Sequence, residues 1–99
     1  MYVVVARFYA KDGQDGEVAR ILRTMAGFSN AEPGCRMYIV NQAIDDPRQF
    51  VLYEQYVDEA AFEAHLASDP FKEHILGGVV PLLDQREREL YTALDPAVE

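Results

Sequence analysis

The most constraining feature of this sequence is that its strand-like segments are apolar at both odd and even positions. Successive side chains of a strand point to opposite faces of the sheet. In the first strand Val3 and Val5 share one face, whereas Val4, Ala6 and Phe8 share the other. Helices packed on one side of a sheet cover only one of its faces. The pattern therefore predicts a sheet that needs a second covering layer.

Hydrophobic periodicity and turn residues divide the chain into elements in the order β-α-β-β-α-β. The predicted strands are Tyr2–Ala10, Cys35–Ala43, Gln49–Val57 and Arg86–Leu94, and the predicted helices are Gln14–Phe28 and Glu59–Ala67, the second continuing over Phe71–Ile75. Asp58 is the expected N-cap of the second helix. Asp69 is expected to cap the continuation, with Pro70 at its first helical position. Residues 95–99 are predicted to form a tail.

This order predicts an α+β fold of the ferredoxin-like type. Its four-stranded antiparallel sheet has the strand order four, one, three, two, and both helices lie on one face. With 99 residues and no repeat or linker, the chain is expected to be a single domain spanning 1–99. The uncovered face then predicts a homodimer formed by sheet-to-sheet packing. Burying ~600 Å² more apolar surface per chain would contribute roughly 15 kcal/mol before association costs.

The composition excludes several classes of partner. A net charge of −8 disfavours nucleic acids and anionic membrane surfaces, because both require a basic footprint. No segment approaches the ~20 apolar residues of a membrane span. The N-terminal segment lacks a signal-peptide pattern, since Arg7 interrupts its apolar stretch. The single cysteine, Cys35, excludes an internal disulfide, and we therefore expect a cytoplasmic protein.

Two histidines are candidates for chemistry, and each has a structural alternative. His65 follows Phe62 by three residues and lies on or beside the apolar stripe of its helix. It is either a general base or hydrogen-bond donor in a pocket, or a packed boundary histidine. His74 follows Phe71 by three residues and can also face inward as a substrate-binding residue, and its alternative is a surface or boundary residue. Their spacing matches no metal-site motif, so no metal is predicted.

Two charged residues interrupt apolar strands. Arg7 lies in the first strand and Glu54 in the third, and these strands are predicted neighbours. Buried charges need partners, so we hypothesise that Arg7 and Glu54 pair across the sheet. Such a pair would be structural or would orient an oxyanionic substrate. The alternative is that each side chain extends to an edge of the sheet. Cys35 is expected to be a buried, inert thiol.

Several segments together resemble the antibiotic biosynthesis monooxygenase (ABM) family. These are Glu32-Pro-Gly-Cys-Arg-Met-Tyr38, Asp46-Pro47, Phe50-Val-Leu-Tyr-Glu54, Asp58-Glu-Ala-Ala-Phe-Glu-Ala-His-Leu66 and Phe71. The resemblance implies a dimeric α/β barrel made of two ferredoxin-like halves. Some members oxidise anthrones or quinols with molecular oxygen and no cofactor, and others degrade haem. The haem-degrading branch relies on a tryptophan, a histidine and an asparagine. This chain has no tryptophan, and His65 and Arg7 stand near the matching positions, which argues against haem degradation.

The resemblance leads to the prediction of a cofactor-independent monooxygenase that acts on a small phenolic, quinol or anthrone-type substrate. His65 and Glu54 are the catalytic candidates, and the substrate-binding candidates are Arg7, Phe62, Phe71 and His74. The pocket is expected between the helices and the sheet, one per subunit. A non-oxidative isomerase or lyase needs the same base and anion donors. A non-catalytic binding dimer is the third alternative and predicts no ligand-sized void.

Overall fold

The computed structural model describes residues 1–94 and shows the predicted order of elements. The elements are β1 (Tyr2–Ala10), α1 (Asp15–Asn30), β2 (Cys35–Gln42), β3 (Gln49–Tyr56), α2 (Glu59–Ala67), a π-helix (Phe71–Val79), a 3₁₀ turn (Val80–Leu82) and β4 (Leu83–Thr92). All strand pairs are antiparallel, and the sheet order β2-β3-β1-β4 is the predicted order read from the other edge. The α+β ferredoxin-like fold is thereby confirmed. The predicted tail at residues 95–99 lies outside the described residues.

The last third of the chain differs most from the sequence-based prediction. The strand β4 begins at Leu83, three residues early, because the backbone of Leu82 already accepts a hydrogen bond from Lys11 N–H at 2.8 Å. The helical continuation extends to Val79 as a π-helix instead of ending near Ile75. Asp69 is not its cap, because the Ser68 hydroxyl accepts the Phe71 N–H at 3.3 Å.

The core lies between the helices and the even-numbered face of β1. Val4, Phe8 and their neighbours on β3 pack there against Leu22 and Met25 of α1. These apolar positions recur at steps of three and four in α1, so one stripe of the helix is fully covered. The helices therefore cover this face of the sheet, which we call the covered face. Among residues 1–94, no helix is long and apolar enough to cross a membrane.

The opposite face of the sheet carries no helix and is mixed in character. Alternation places Val5 and Val51 on this face, and Ile39 lies there with 45% of its surface exposed. The positions of β4 on this face are polar except for Tyr91, and among them Glu89 forms an ion pair with Arg7 of β1. The expectation of two apolar faces thus holds for β1, β2 and β3 but fails along β4. We call this helix-free surface the open face.

The start of α2 is fixed by two local contacts. Asp58 caps the helix as predicted, since its carboxylate accepts the Ala61 N–H at 2.8 Å. The Gly34 backbone passes so close to Ala61 that a Cβ atom at Gly34 would lie 2.5 Å from the Ala61 Cβ. Gly34 also accepts a hydrogen bond from Val57 N–H at 2.9 Å. This close approach sets the position of α2 over the sheet.

Replacing Gly34 with alanine should therefore destabilise the protein. We expect Gly34→Ala to lower the free energy of unfolding by about 1–3 kcal/mol, because α2 must shift to accept the methyl group. Gly16→Ala in α1 is the matched control, since a Cβ there meets no atom within 4 Å. Urea denaturation of both variants measures the difference. A Gly34→Ala protein as stable as the Gly16→Ala protein would contradict this account.

Candidate active site

A cavity of about 220 Å³ opens between the covered face of the sheet and the segment formed by α2 and the π-helix. All four strands contribute to its wall. Its lining consists of Ala6, Phe8, Tyr38, Leu52, Glu54, Phe62, His65, Leu66, Phe71, Ile75, Arg86, Glu87 and Arg88. The cavity thus lies where the sequence predicts the pocket, between the helices and the sheet. Four sequence-derived candidates, Glu54, Phe62, His65 and Phe71, meet in it.

Glu54 is a carboxyl group buried on the covered face of β3, with 4% of its surface exposed. The Tyr56 hydroxyl, two residues along the same face, donates a hydrogen bond of 2.6 Å to Glu54 Oε1. Burial raises the pKa of Glu54 to about 7, although the Tyr56 hydrogen bond and the positive charge of Arg88 pull it down. At neutral pH this group exists in both its protonated and its ionised form, which suits proton transfer.

His65 lies on the inner side of α2 and is 2% exposed. Its Nδ1 atom is 3.1 Å from Glu32 Oε1 and 3.2 Å from Glu32 Oε2. Burial in the first place, and then the charge of Arg88, lower the pKa of His65 to about 4. A neutral imidazole carries one N–H, and the Glu32 carboxylate assigns it to Nδ1. The Nε2 atom of His65 is then left as a hydrogen-bond acceptor.

Aromatic rings surround the His65 imidazole on several sides. The ring centroids of Phe71, Tyr56, Tyr38 and Phe62 lie 5.2, 5.3, 5.7 and 6.3 Å away. Burial raises the pKa values of both tyrosines, so their hydroxyl groups stay protonated. This apolar wall accounts for the low pKa of the histidine, because it removes water from the charged form.

Two arginines of β4 border the cavity at its exposed side. Arg86 and Arg88 are paired in register with Phe8 and Ala6 of β1, so both lie above the covered face. The Arg88 guanidinium carbon is 5.3 Å from the centre of the Phe62 ring. This contact falls within the range of cation–π attraction. We refer to Arg86 and Arg88 as the arginine pair.

The hypothesis that Arg7 pairs with Glu54 is wrong. The register places Arg7 opposite Val51 and Glu54 opposite Val4, so the two side chains lie on different faces of the sheet. Arg7 instead pairs with Glu89 on the open face. Arg7 therefore does not line the cavity, and its position does not support a role in binding substrate there.

His74 also lies outside the cavity. Its ring stacks on Phe28 of α1 with a centroid distance of 5.4 Å, and its Nε2 atom is 4.0 Å from Glu73. The π-helix turns this side chain toward α1, whereas the spacing from Phe71 suggested that it faces inward. The structural alternative, a boundary histidine, describes His74 better than a substrate-binding role.

Sequence reasoning missed three residues that shape the site. Strand alternation places Tyr56 on the same face as Glu54, so the sequence could have predicted their hydrogen bond. Arg88 lies on β4, which begins three residues before its predicted start. The sequence therefore did not identify Ala6 as the residue opposite Arg88. Glu32 lies between α1 and β2 and is separated from His65 by 33 residues. No local pattern signals such a contact.

The chemistry available in the cavity is that of acids, bases and hydrogen bonds. Among residues 1–94, no group of three His, Cys, Asp or Glu side chains is arranged to hold a metal ion. Cys35 is buried, and burial raises the pKa of its thiol to about 11, which leaves it protonated and unreactive. An apolar space thus meets one carboxyl group of near-neutral pKa, one neutral imidazole and two guanidinium groups.

Comparisons with known proteins agree with this architecture. The family model described as antibiotic biosynthesis monooxygenase matches residues 1–75. A Nitrosomonas europaea protein named as a candidate antibiotic biosynthesis monooxygenase superimposes with a TM-score of 0.91 at 26% identity, over 95% of this chain and 99% of that one. A Pseudomonas aeruginosa protein superimposes with a TM-score of 0.88 at 29% identity, over 94% and 93% of the two chains. A Shewanella oneidensis protein gives a TM-score of 0.85 at 30% identity, over 91% and 87%. No curated protein matches the chain.

The burial of Glu54 predicts how stability depends on pH. Because folding raises its pKa from 4.5 to about 7, the protonated form is favoured in the folded state. The stability that Glu54 contributes is complete below pH 4.5 and is lost as the pH rises through 7. The variant Glu54→Gln cannot ionise and does not lose this stability. As the pH rises from 4.5 to 7, the free energy of unfolding of Glu54→Gln should therefore increase relative to that of wild type by up to about 3 kcal/mol.

Urea denaturation across this pH range measures that difference. The stability that His65 contributes has the opposite pH dependence, because it is lost as the pH falls from 6.5 through 4. This loss occurs equally in wild type and in Glu54→Gln. Glu63→Gln, on the exposed side of α2, is the control and should follow wild type. Parallel pH profiles for wild type and Glu54→Gln would refute the burial argument.

Proposed function

Because the chain belongs to the antibiotic biosynthesis monooxygenase family, we propose that it is a monooxygenase that oxidises a small phenolic or quinol-type substrate with molecular oxygen. The resemblance further implies that the reaction needs no cofactor. The observation that carries the proposal is the buried Glu54 carboxyl group, whose pKa is about 7, at the wall of an apolar cavity. Oxidation of such substrates begins with loss of a proton, and a group of this pKa is suited to accept it.

The first step is deprotonation of the substrate hydroxyl group. The ionised Glu54 accepts the proton, while Tyr56 keeps donating its hydrogen bond to the same carboxyl group. His65 is a weaker base, because its pKa is about 4, and its Nε2 atom positions the substrate by accepting a hydrogen bond. The charge of Arg88 stabilises the substrate anion in a site that largely excludes water.

The second step uses oxygen as the electron acceptor. The phenolate gives one electron to O₂, and the phenoxyl radical and superoxide combine at a ring carbon ortho or para to the oxygen that carries a hydrogen atom, forming a C–O bond. The proton held by Glu54 passes to this peroxide. Glu54 then removes the proton of the same carbon, the O–O bond breaks with its electron pair on the leaving oxygen, and hydroxide takes that proton to leave as water. The products are one quinone and one water per O₂.

The volume of the cavity restricts the size of the substrate. An engineered apolar cavity of about 150 Å³ in another protein accommodates benzene. The 220 Å³ available here accommodates one aromatic ring with small substituents. The space is below the ~300 Å³ of typical ligand sites, which favours a one-ring phenol or quinol over a three-ring anthrone.

Oxygen uptake with a panel of one-ring phenols and quinols tests the proposed function. We expect Glu54→Gln to lower kcat at least about 100-fold, because the general base is lost. His65→Ala should mainly raise KM if it positions the substrate. Glu63→Gln is the matched control and should retain full activity. One atom of ¹⁸O₂ should appear in the quinone.

Two outcomes would count against this function. Substrate conversion without oxygen uptake would indicate the isomerase or lyase alternative, which uses the same base. Full oxygen uptake by Glu54→Gln on a verified substrate would remove Glu54 from the proposed mechanism.

The single free cysteine is compatible with a reducing cytoplasm, where we expect the reaction to take place.

We also propose that two copies of the chain pack through their open faces. Val5 and Val51 are half-buried there, and Ile39 is 45% exposed, so three strands present apolar side chains to solvent. Covering them would stabilise a dimer through the hydrophobic effect. The polar positions of β4, which is an edge strand, would lie at the rim of such an interface.

Charged substitutions on the open face should dissociate this dimer. We expect Ile39→Lys combined with Val51→Lys to convert a dimer into a monomer at micromolar concentration, as measured by sedimentation equilibrium. Ile44→Lys is the matched control, because Ile44 is fully exposed in the turn between β2 and β3. A wild-type protein that sediments as a monomer would refute the proposed assembly.

A further inference from the structure

We propose that the substrate carries a carboxylate group, which the arginine pair binds at the edge of the cavity while the aromatic ring lies between Phe62 and Phe71. The inference deepens the proposed function, because it names the substrate class of the same site. It rests on that function only for the reaction of the hydroxyl group. Recognition of the carboxylate depends on the arginine pair alone.

The first observation is the placement of the two guanidinium groups. Arg86 and Arg88 are two residues apart on one strand, so their side chains leave the same face roughly 7 Å apart. Their register partners are Phe8 and Ala6, and both of these line the cavity. Two positive charges are thus placed side by side at the exposed side of an otherwise apolar space.

The second observation is that neither guanidinium group has a carboxylate partner among residues 1–94. Within residues 1–94, no carboxylate oxygen lies within 4.0 Å of either guanidinium group, although the protein has an excess of acidic residues. Arg7, Arg20 and Arg48 each form an ion pair with a neighbouring carboxylate. Arg23 and Arg36 form none either, but they are exposed and lie outside the cavity. The donors of the arginine pair are therefore available to a ligand.

The acidic groups nearby do not neutralise the pair. Glu87 also borders the cavity, but strand alternation directs its side chain toward the open face, where it lines a second cavity of about 110 Å³ with Arg7 and Tyr9. Glu54 lies deeper in the wall and accepts a hydrogen bond from Tyr56. A ligand carboxylate at the edge would satisfy the guanidinium groups that these residues leave free.

The chemistry of arginine favours a carboxylate as the bound group. A guanidinium presents its N–H donors in a planar fork that matches the two oxygens of a carboxylate. The Arg88 guanidinium is also held 5.3 Å above the Phe62 ring, so part of its orientation is fixed before a ligand arrives. One ring with one carboxylate is compatible with the 220 Å³ of the cavity.

Binding of a matched pair of ligands tests the inference without any turnover. The ligands are 3-hydroxybenzoate and its neutral amide, 3-hydroxybenzamide, measured by titration calorimetry without oxygen. We expect wild type to bind the acid about tenfold more tightly or better, since charge-assisted hydrogen bonds are stronger than neutral ones. Added salt should weaken binding of the acid only.

Variants of the arginine pair assign the preference to these residues. Arg86→Gln combined with Arg88→Gln should lower the affinity for 3-hydroxybenzoate about tenfold and leave that for 3-hydroxybenzamide within twofold. Arg23→Gln combined with Arg36→Gln removes the same charge from exposed sites outside the cavity and should leave both affinities unchanged. Arg88→Lys, which keeps the charge but loses the fork, should give an intermediate affinity for the acid.

The outcomes separate this inference from the proposed function. Equal binding of acid and amide, binding of neither ligand, or an unchanged preference in the arginine variant would each overturn it. If 3-hydroxybenzoate binds as expected but 2,5-dihydroxybenzoate consumes no oxygen, carboxylate recognition stands and the monooxygenase proposal fails. If hydroquinone consumes oxygen while the acid is not preferred, only the recognition of a carboxylate is refuted.

Discussion

The site depends on one constraint, which is that a carboxyl group lies on the covered face of a β-sheet. Glu54 occupies a position that alternation would give to an apolar residue, between Leu52 and Tyr56 on the inner side of β3. Leaving such a group without a partner would be strongly unfavourable, and Tyr56 supplies the hydrogen bond that makes its burial tolerable. The position of α2, set by the close approach of Gly34 to Ala61, completes the enclosure.

Burial acts in opposite directions on the two titratable groups of the cavity. It raises the pKa of Glu54 to about 7 and lowers that of His65 to about 4, because in each case it disfavours the charged form. The Arg88 charge lowers both values, and the charge of Glu32 opposes it at Glu54. The histidine is thereby kept neutral while the carboxyl group titrates near neutrality. This separation favours Glu54, and not His65, as the acceptor of a substrate proton.

The sequence predicts the fold more fully than it predicts the site. Strand alternation and helix periodicity are local, and they were sufficient for the strand order and for the inward positions of Phe62, His65 and Phe71. The error at Arg7 has a different origin. Alternation groups Arg7 with Val5 and Glu54 with Leu52, but the register decides which faces of two neighbouring strands coincide. The contact between Glu32 and His65 joins the segment between α1 and β2 to the helix α2, 33 residues later, and local patterns carry no such information.

The strand β3 shows how the two faces of the sheet can serve separate purposes. Glu54 and Tyr56 form a hydrogen-bonded pair on the covered face, and Tyr53 and Gln55 form a second pair on the open face, with Gln55 Nε2 donating to the Tyr53 hydroxyl at 2.9 Å. The two residues of each pair are two positions apart, so they lie on the same face of the sheet. The two pairs alternate along the strand and therefore lie on opposite faces. Substitutions on the open face can therefore leave the surroundings of Glu54 unchanged. The backbone of one strand thus separates the proposed dimer surface from the cavity, so each can be altered without the other.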